Sequence, residues 1–333
     1  MRTGNKKITR VCAPANQHML LQYLLISSEK DLSETFYFLD QDAMGKDVCS
    51  KFPDAVVSEY RNQSSVRKIL FYVRFFFLRY LKYWRYPFLK NAVVFSSDHI
   101  FWGWFLTFDR PYHLLEDGYA LYGETLYNVK DHVSAFRYLV QKIIFHPYPA
   151  GSWGQNPRCS MIHLSGTLPE RSPLLKNTIS TCSFRDLWNQ ASDEKKKLIM
   201  NIFDISQDDI SFFDGAEALI LTQPFSEDGF MSETEKIRVY RSLIEKYQLK
   251  NVVFKPHPRE STDYSKYFPE ARCFQKKCPI ELLALFDLNF HTVATLFSSA
   301  VMIFRNEGFH VIWAGTELFE REIDEYKNIK PIQ

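Results

Sequence analysis

A chain of 333 residues, 46% of them hydrophobic, can bury a large core and is long for one domain, so two domains are expected. The formal net charge of +2 excludes a whole-protein electrostatic grip on nucleic acid, leaving only local basic patches to consider. Six scattered cysteines (Cys12, Cys49, Cys159, Cys182, Cys273, Cys278) have the spacing of neither a disulfide framework nor a zinc site, which points to a reducing, cytoplasmic setting.

The N-terminus is basic but has no continuous apolar stretch and no small-residue cleavage site, so no signal peptide is expected. No run approaches the roughly 18 apolar residues of a membrane span. "ITRVCAPA" predicts a first strand and "NQHMLLQYLLISS" the helix after it; "ETFYFLD", "AVVFSS" and "PYHLL" predict further strands separated by helical patterns. Residues 147–190, rich in Pro, Gly and Ser, are expected to be connecting loops at the edge of a first domain, 1–190. A second domain, 191–333, is expected to hold the strand "ALILTQP" and the helix 232–248. Ser232 with Glu235 three residues on is a capping-box signature for that helix. "NVVFKPHP" predicts the next strand, "CPIELLALF" a short helix and "TLFSSAVMIF" a strand or helix start. The alternation predicts parallel α/β construction, two such domains facing one another across a cleft.

The segment 66–90 carries seven Lys/Arg and no acid among Phe, Tyr, Leu and Trp. Its charges forbid a span, but the composition suits a helix lying on an anionic membrane face, rings down and cations toward headgroups. The competing reading is a core helix with a solvated basic stripe. No nucleic-acid module accompanies it.

Phosphate-cradle and dinucleotide glycine motifs are absent. Asp40 and Asp42 flank Gln41 after a strand and could hold a divalent ion, though such pairs are common turn formers, and no metal site is expected. In "HLLEDGYALYGE" Glu116 and Asp117 follow an apolar strand and precede Gly118. Carboxyl ends of strands line the crevice in open α/β sheets, so Asp117 is a candidate general base. A second Glu-Asp-Gly, Glu227–Gly229, follows a strand of the second domain, and Asp228 is the rival base. Lys255, His257 and Arg259 alternate across two prolines and would project to one side if the strand persists, a fork suited to a phosphate oxygen. Glu281 opens a helix and could accept from ribose hydroxyls. Ser298 and Ser299 offer hydroxyls, with backbone N–H groups at a helix start. In this order the residues sketch a nucleotide monophosphate site.

With those residues in hand, the chain resembles the bacterial sialyltransferases of glycosyltransferase family 52, which act on lipooligosaccharide or capsule chains. The resemblance rests on the Glu-Asp-Gly turn, "KPHPRE", "PIELL", "FSSA", the opening "VCAPANQHMLLQYL", and "LTQP", which contains Thr222. It spans residue 9 to about 305, each motif being short and their order supplying the specificity. It implies a GT-B architecture of two Rossmann-like domains and inverting, metal-independent transfer from CMP-sialic acid to a galactose-type acceptor, with no cofactor.

By position, the resemblance implies that Asp117 is the base, with Asp228 left open, and that His257 is the phosphate partner or acid. It assigns Lys255, Arg259, Glu281, Ser298, Ser299 and Thr222 to the nucleotide. Acceptor contacts are expected near Asn16, Gln17 and Tyr119. The implied setting is peripheral, on the inner face of the cytoplasmic membrane, with an anionic membrane surface and a glycan or glycolipid as partners and a homodimer left open. The alternatives are a related GT-B enzyme using another donor, such as CMP-Kdo, and a non-catalytic polysaccharide-assembly protein.

Overall fold

Short runs of β-branched and aromatic residues become parallel strands wherever both of their faces can be covered. The computed structural model describes residues 7–59, 77–98, 101–117, 121–122, 153–167, 177–298 and 300–315. Its two units, Met1–Asp204 and Ile205–Gln333, each contain one parallel sheet. The first sheet comprises β1 (Arg10–Ala13), β2 (Thr35–Asp40), β3 (Val56–Ser58), β4 (Val93–Ser96), β5 (Tyr112–Leu115), β6 (Cys159–Leu164) and β7 (Thr178–Thr181), in the order β3-β2-β1-β4-β5-β6-β7. The second comprises β8 (Ala218–Leu221), β9 (Val252–Lys255), β10 (Arg272–Cys273), β11 (Thr292–Thr295) and β12 (His310–Trp313), in the order β10-β9-β8-β11-β12. Both sheets are wound outward from the middle, as in a nucleotide-binding Rossmann fold. Together they give the α/β, GT-B class expected from the sequence.

Strands β8 and β9 are buried at every residue, as central strands covered on both faces must be. Leu221 pairs with Lys255 on one side and Thr295 on the other, so three carboxyl ends finish level. In unit 1, Ser96 pairs with both Ala13 and Leu114, levelling β1, β4 and β5 in the same way. The helix Gln17–Ile26 is buried from Met19 through Leu25, and Asn16 caps it, its Oδ1 accepting from the Met19 N–H at 2.9 Å. Such a cap contributes about 1 kcal/mol. The helix Glu233–Lys246 is capped by Ser232, whose Oγ accepts from the Glu235 N–H at 3.1 Å. In the unit 2 core the Phe254 ring lies 4.8 Å from both Tyr264 and Phe268.

Two expectations change. Residues 147–190 are not simply loops, because β6, β7 and the helix Phe184–Gln190 fall there. The division also lies at 204/205 rather than 190/191. The helix Asp193–Ile202 is tied back to unit 1, Lys195 Nζ donating to the carbonyls of Leu25 and Ser27 at 2.7 Å each.

Over its described part the basic helix buries two of its cations, against the solvated basic stripe of the core-helix reading. Residues 66–76 lie outside the described residues; over 77–85 the cations Arg79 and Lys82 are buried and the rings face outward. Lys82 Nζ bonds Asp109 Oδ1 at 2.6 Å and the Phe105 carbonyl at 2.9 Å. Burial pulls that ammonium down to about 8 against the opposing pull of Asp109. Phe77, Tyr80, Leu81 and Trp84 are 64%, 62%, 52% and 81% exposed. Their i, i+3, i+4, i+7 spacing makes one stripe. Among the described residues no helix is long and apolar enough to cross a membrane.

Candidate functional site

In doubly wound sheets, ligand-facing residues gather at the carboxyl ends of strands near the point where the winding reverses. The residues singled out in the sequence fall at those ends, in each unit separately.

In unit 1, Asp117 follows β5 and its Oδ1 accepts from Asn16 Nδ2, in the turn after β1. Asn16 thus uses one amide to start a helix and to aim a carboxylate. Gln17 Nε2 donates to the Met44 carbonyl at 2.7 Å, so that side chain braces the fold. Glu116 is buried and structural: it accepts from the Tyr122 hydroxyl at 2.8 Å, from the Ser165 hydroxyl at 2.8 Å and from the Ser165 N–H. Asp40 caps the helix Gln41–Met44, its Oδ1 accepting from the Asp42 N–H at 3.0 Å. Gly118 and Tyr119 lie outside the described residues.

In unit 2, β9 ends at Lys255, and the expected alternation of Lys255, His257 and Arg259 is replaced by a turn closed by the Glu260 N–H on the His257 carbonyl at 2.9 Å. Pro256 and Pro258 have no ladder donors and the His257 N–H between them is taken by Glu260, so the strand does not continue. Lys255 is buried and reaches the Pro256 carbonyl at 3.4 Å; burial lowers its pKa, with the Cys278 and Cys273 thiols opposing. His257 is half-buried, and its Nδ1 accepts from the Arg259 N–H at 3.2 Å, which leaves the imidazole proton on Nε2. Burial, helped by Arg259 and Lys255, pulls this imidazole from 6.5 to about 4 against Asp228 and Glu227, so at neutral pH it is uncharged.

Arg259 holds Asp228 in a fork, at 2.7 and 3.1 Å. The side chain expected to bind phosphate therefore binds the carboxylate proposed as the rival base. The buried Thr222 hydroxyl donates its proton to Glu260. The N–H groups of Phe297 and Ser298 donate to Gln223 Oε1 at 2.7 Å and Thr295 Oγ1 at 3.2 Å, so these two are engaged within the fold. Glu281 sits in the first turn of the helix Ile280–Ala284, which touches the helix Val301–Asn306; Ser299 lies outside the described residues.

Sequence reasoning missed three residues here. Glu260, the last letter of "KPHPRE", is wholly buried and accepts from the His257 N–H at 2.6 Å and the Tyr264 hydroxyl at 2.7 Å. Lys236 is wholly buried between Glu260 at 3.2 Å and Glu227 at 2.9 Å; its signal was a cation on the apolar stripe with Tyr240 and Leu243. Gln223, inside "LTQP", ties the turn after β8 to the turn after β11. All six cysteines are free thiols, and among the described residues no three His, Cys, Asp or Glu side chains group as a metal would require.

Residues 43–313 match the model of glycosyltransferase family 52. An uncharacterized protein of Haemophilus influenzae is 28% identical over 325 residues, covering 95% of this chain and 97% of its own. Among solved structures, a Photobacterium 2,6-sialyltransferase in a ternary complex with CMP and lactose superposes with a TM-score of 0.58 at 14% identity, over 88% of this chain and 69% of that one.

Proposed function

The chain belongs to glycosyltransferase family 52, and from that premise we propose that it is an inverting, metal-independent sialyltransferase. It moves sialic acid from CMP-sialic acid to a terminal galactose-type residue of a bacterial surface glycan, lipooligosaccharide or capsule. The observation that carries this is the His257 imidazole, fixed beside Lys255 at the carboxyl end of β9 with its proton on Nε2. A neutral N–H donor next to a desolvated ammonium suits the phosphate of a departing nucleotide monophosphate.

Asp117, aimed by Asn16, takes the proton of the acceptor hydroxyl. The freed oxygen attacks the anomeric carbon as the carbon–phosphate-oxygen bond breaks on the opposite face, which inverts the configuration. The electrons of the broken bond go to CMP. His257 Nε2–H, Lys255 and the hydroxyls of Ser298 and Ser299 stabilise the charge that develops on its phosphate, and Glu281 holds the ribose. A bound phosphate raises the proton affinity of His257, so the imidazole is a hydrogen-bond donor first and an acid only once the charge has formed. A monophosphate donor asks for no divalent ion to neutralise a diphosphate.

The CMP and lactose held by the Photobacterium enzyme supply the probe pair. Incubation with CMP-sialic acid and lactose should yield a sialylated product, whose linkage NMR identifies. A product from CMP-Kdo alone would select the related-transferase reading, and intact donors throughout would select the non-catalytic one.

Attachment to the inner face of the cytoplasmic membrane belongs to the same proposal. Its contact is the ring stripe Phe77, Tyr80, Leu81 and Trp84, with the exposed Arg85 and Lys90 toward headgroups. Trp84→Ser should weaken co-sedimentation with phosphatidylglycerol-containing vesicles about tenfold, the worth of one well-buried ring. Unchanged sedimentation, or a shift from dimer to monomer instead, would assign the stripe to another copy of the chain.

A further inference from the structure

The turn that carries His257 is held by an ionic cluster centred on the Glu260 carboxylate. Glu260 Oε2 accepts from the His257 N–H at 2.6 Å and from the Thr222 hydroxyl; its Oε1 accepts from the Tyr264 hydroxyl at 2.7 Å and Lys236 Nζ at 3.2 Å. Glu227 grips the far side of the same turn, its Oε1 accepting from the Ser261 N–H at 2.8 Å and hydroxyl at 3.2 Å. Lys236 joins the two carboxylates and, like Glu260, is wholly buried.

A buried ammonium between two carboxylates is a costly way to pack a loop, because desolvating the charges offsets much of their attraction. Apolar residues of similar volume would hold the chain as firmly. The cluster does something apolar packing cannot: it binds the backbone N–H of one named residue with a charge-assisted hydrogen bond from a fixed direction. The donors converging on Glu260 come from the turn after β8 (Thr222), the helix Glu233–Lys246 (Lys236) and the start of the helix Tyr264–Tyr267 (Tyr264). Three separate elements therefore set one carboxylate, and the carboxylate sets the backbone from which the imidazole projects.

We infer that Glu260, linked through Lys236 to Glu227, is the positioning residue for His257. It holds the backbone so that Arg259 N–H reaches Nδ1 and the Nε2 proton is presented in one direction. The inference rests on the proposed role of His257 for its catalytic consequence, but not for its structural one.

Glu260→Gln in the full chain separates the two. A glutamine cannot accept at both oxygens, so either the His257 N–H or the Lys236 contact is lost. Nitrogen-detected NMR of the wild type should show a single Nε2–H tautomer titrating near the low value of about 4, and the variant a tautomer mixture moving back toward 6.5. The turnover number with CMP-sialic acid and lactose should fall about 10- to 100-fold, in the range that misplacing a reacting group costs. In a His257→Ala background the same substitution should cost nothing further, because residues acting through one group are not additive. Thr222→Val, which keeps the charge of Glu260, should move the same signals less and serves if the first variant does not fold.

An unchanged tautomer and titration in a folded variant, or a Glu260→Gln loss that multiplies the His257→Ala loss, would overturn the inference. Should His257→Ala transfer at the wild-type rate while Glu260→Gln still moves the imidazole signals, the clamp stands and the catalytic role of His257 fails.

Discussion

The same three letters, Glu-Asp-Gly, close a strand in each unit, and their fates divide in a common way. In both turns the glutamate holds structure: the buried Glu116 gathers Tyr122 and Ser165, and the more exposed Glu227 gathers Lys236, Ser261 and Thr262. In both the aspartate turns to a polar neighbour, and there the likeness ends. Asp117 meets the neutral amide of Asn16, whereas Asp228 is held at both oxygens by the Arg259 guanidinium. An amide orients a carboxylate without neutralising it; a bidentate guanidinium occupies it. Asp117 is proposed as the base because the rival Asp228 is committed at both oxygens to Arg259.

The widest separation between the turns should therefore come from removing each aspartate. Asp117→Ala is expected to lower the transfer rate about 1000-fold, within the range of a lost general base, with the melting temperature little changed. Asp228→Ala and Arg259→Ala should each cost less than about tenfold, and the double variant no more than either, because they break one pair. Steady-state kinetics on the four proteins decides the matter. A dead Asp228→Ala beside an active Asp117→Ala reverses the assignment.

How much of this could be read in the sequence depended on how far apart the partners lie. The strands β1, β8 and β9 and the helix Glu233–Lys246 were legible because periodicity and capping are local: Ser232 and Glu235 are three residues apart. Strands β6 and β7 were hidden by the Pro, Gly and Ser around them, and their pairing depends on β5, which lies far back in the chain. At the site, chemistry-bearing residues were visible by type at strand ends, but their commitments were not. That Arg259 would be taken by Asp228, 31 positions away, or Thr222 by Glu260, 38 away, is a fact of tertiary contact. The choice between the two readings of 77–85 was not legible because composition does not say which face of a basic aromatic helix is buried, and here Asp109 draws Lys82 inward.

The smallest effect tests whether the glutamate of the second turn is structural through its charge. Burial pushes Glu227 upward, but the Ser261 N–H and the Lys236 ammonium outweigh it and carry the carboxyl from 4.5 down to about 2. A carboxylate depressed in the folded state contributes stability that is complete above its unfolded value and is lost as pH falls toward the folded one. His257, depressed from 6.5 to about 4, adds a loss of the same sign at higher pH. Wild-type melting temperature should therefore fall in two overlapping stages on acidification, with Glu227 responsible for the lower. Glu227→Gln should melt below wild type at neutral pH, with Lys236 left leaning on Glu260 alone, and the gap should narrow steadily from pH 4.5 downward as the wild-type carboxylate gains its proton. Thermal melts of the two proteins across that interval measure the gap directly. A gap that stayed constant with pH would mean that Glu227 holds the turn by shape and hydrogen bonding, and that its charge does no more than the neutral contacts around it.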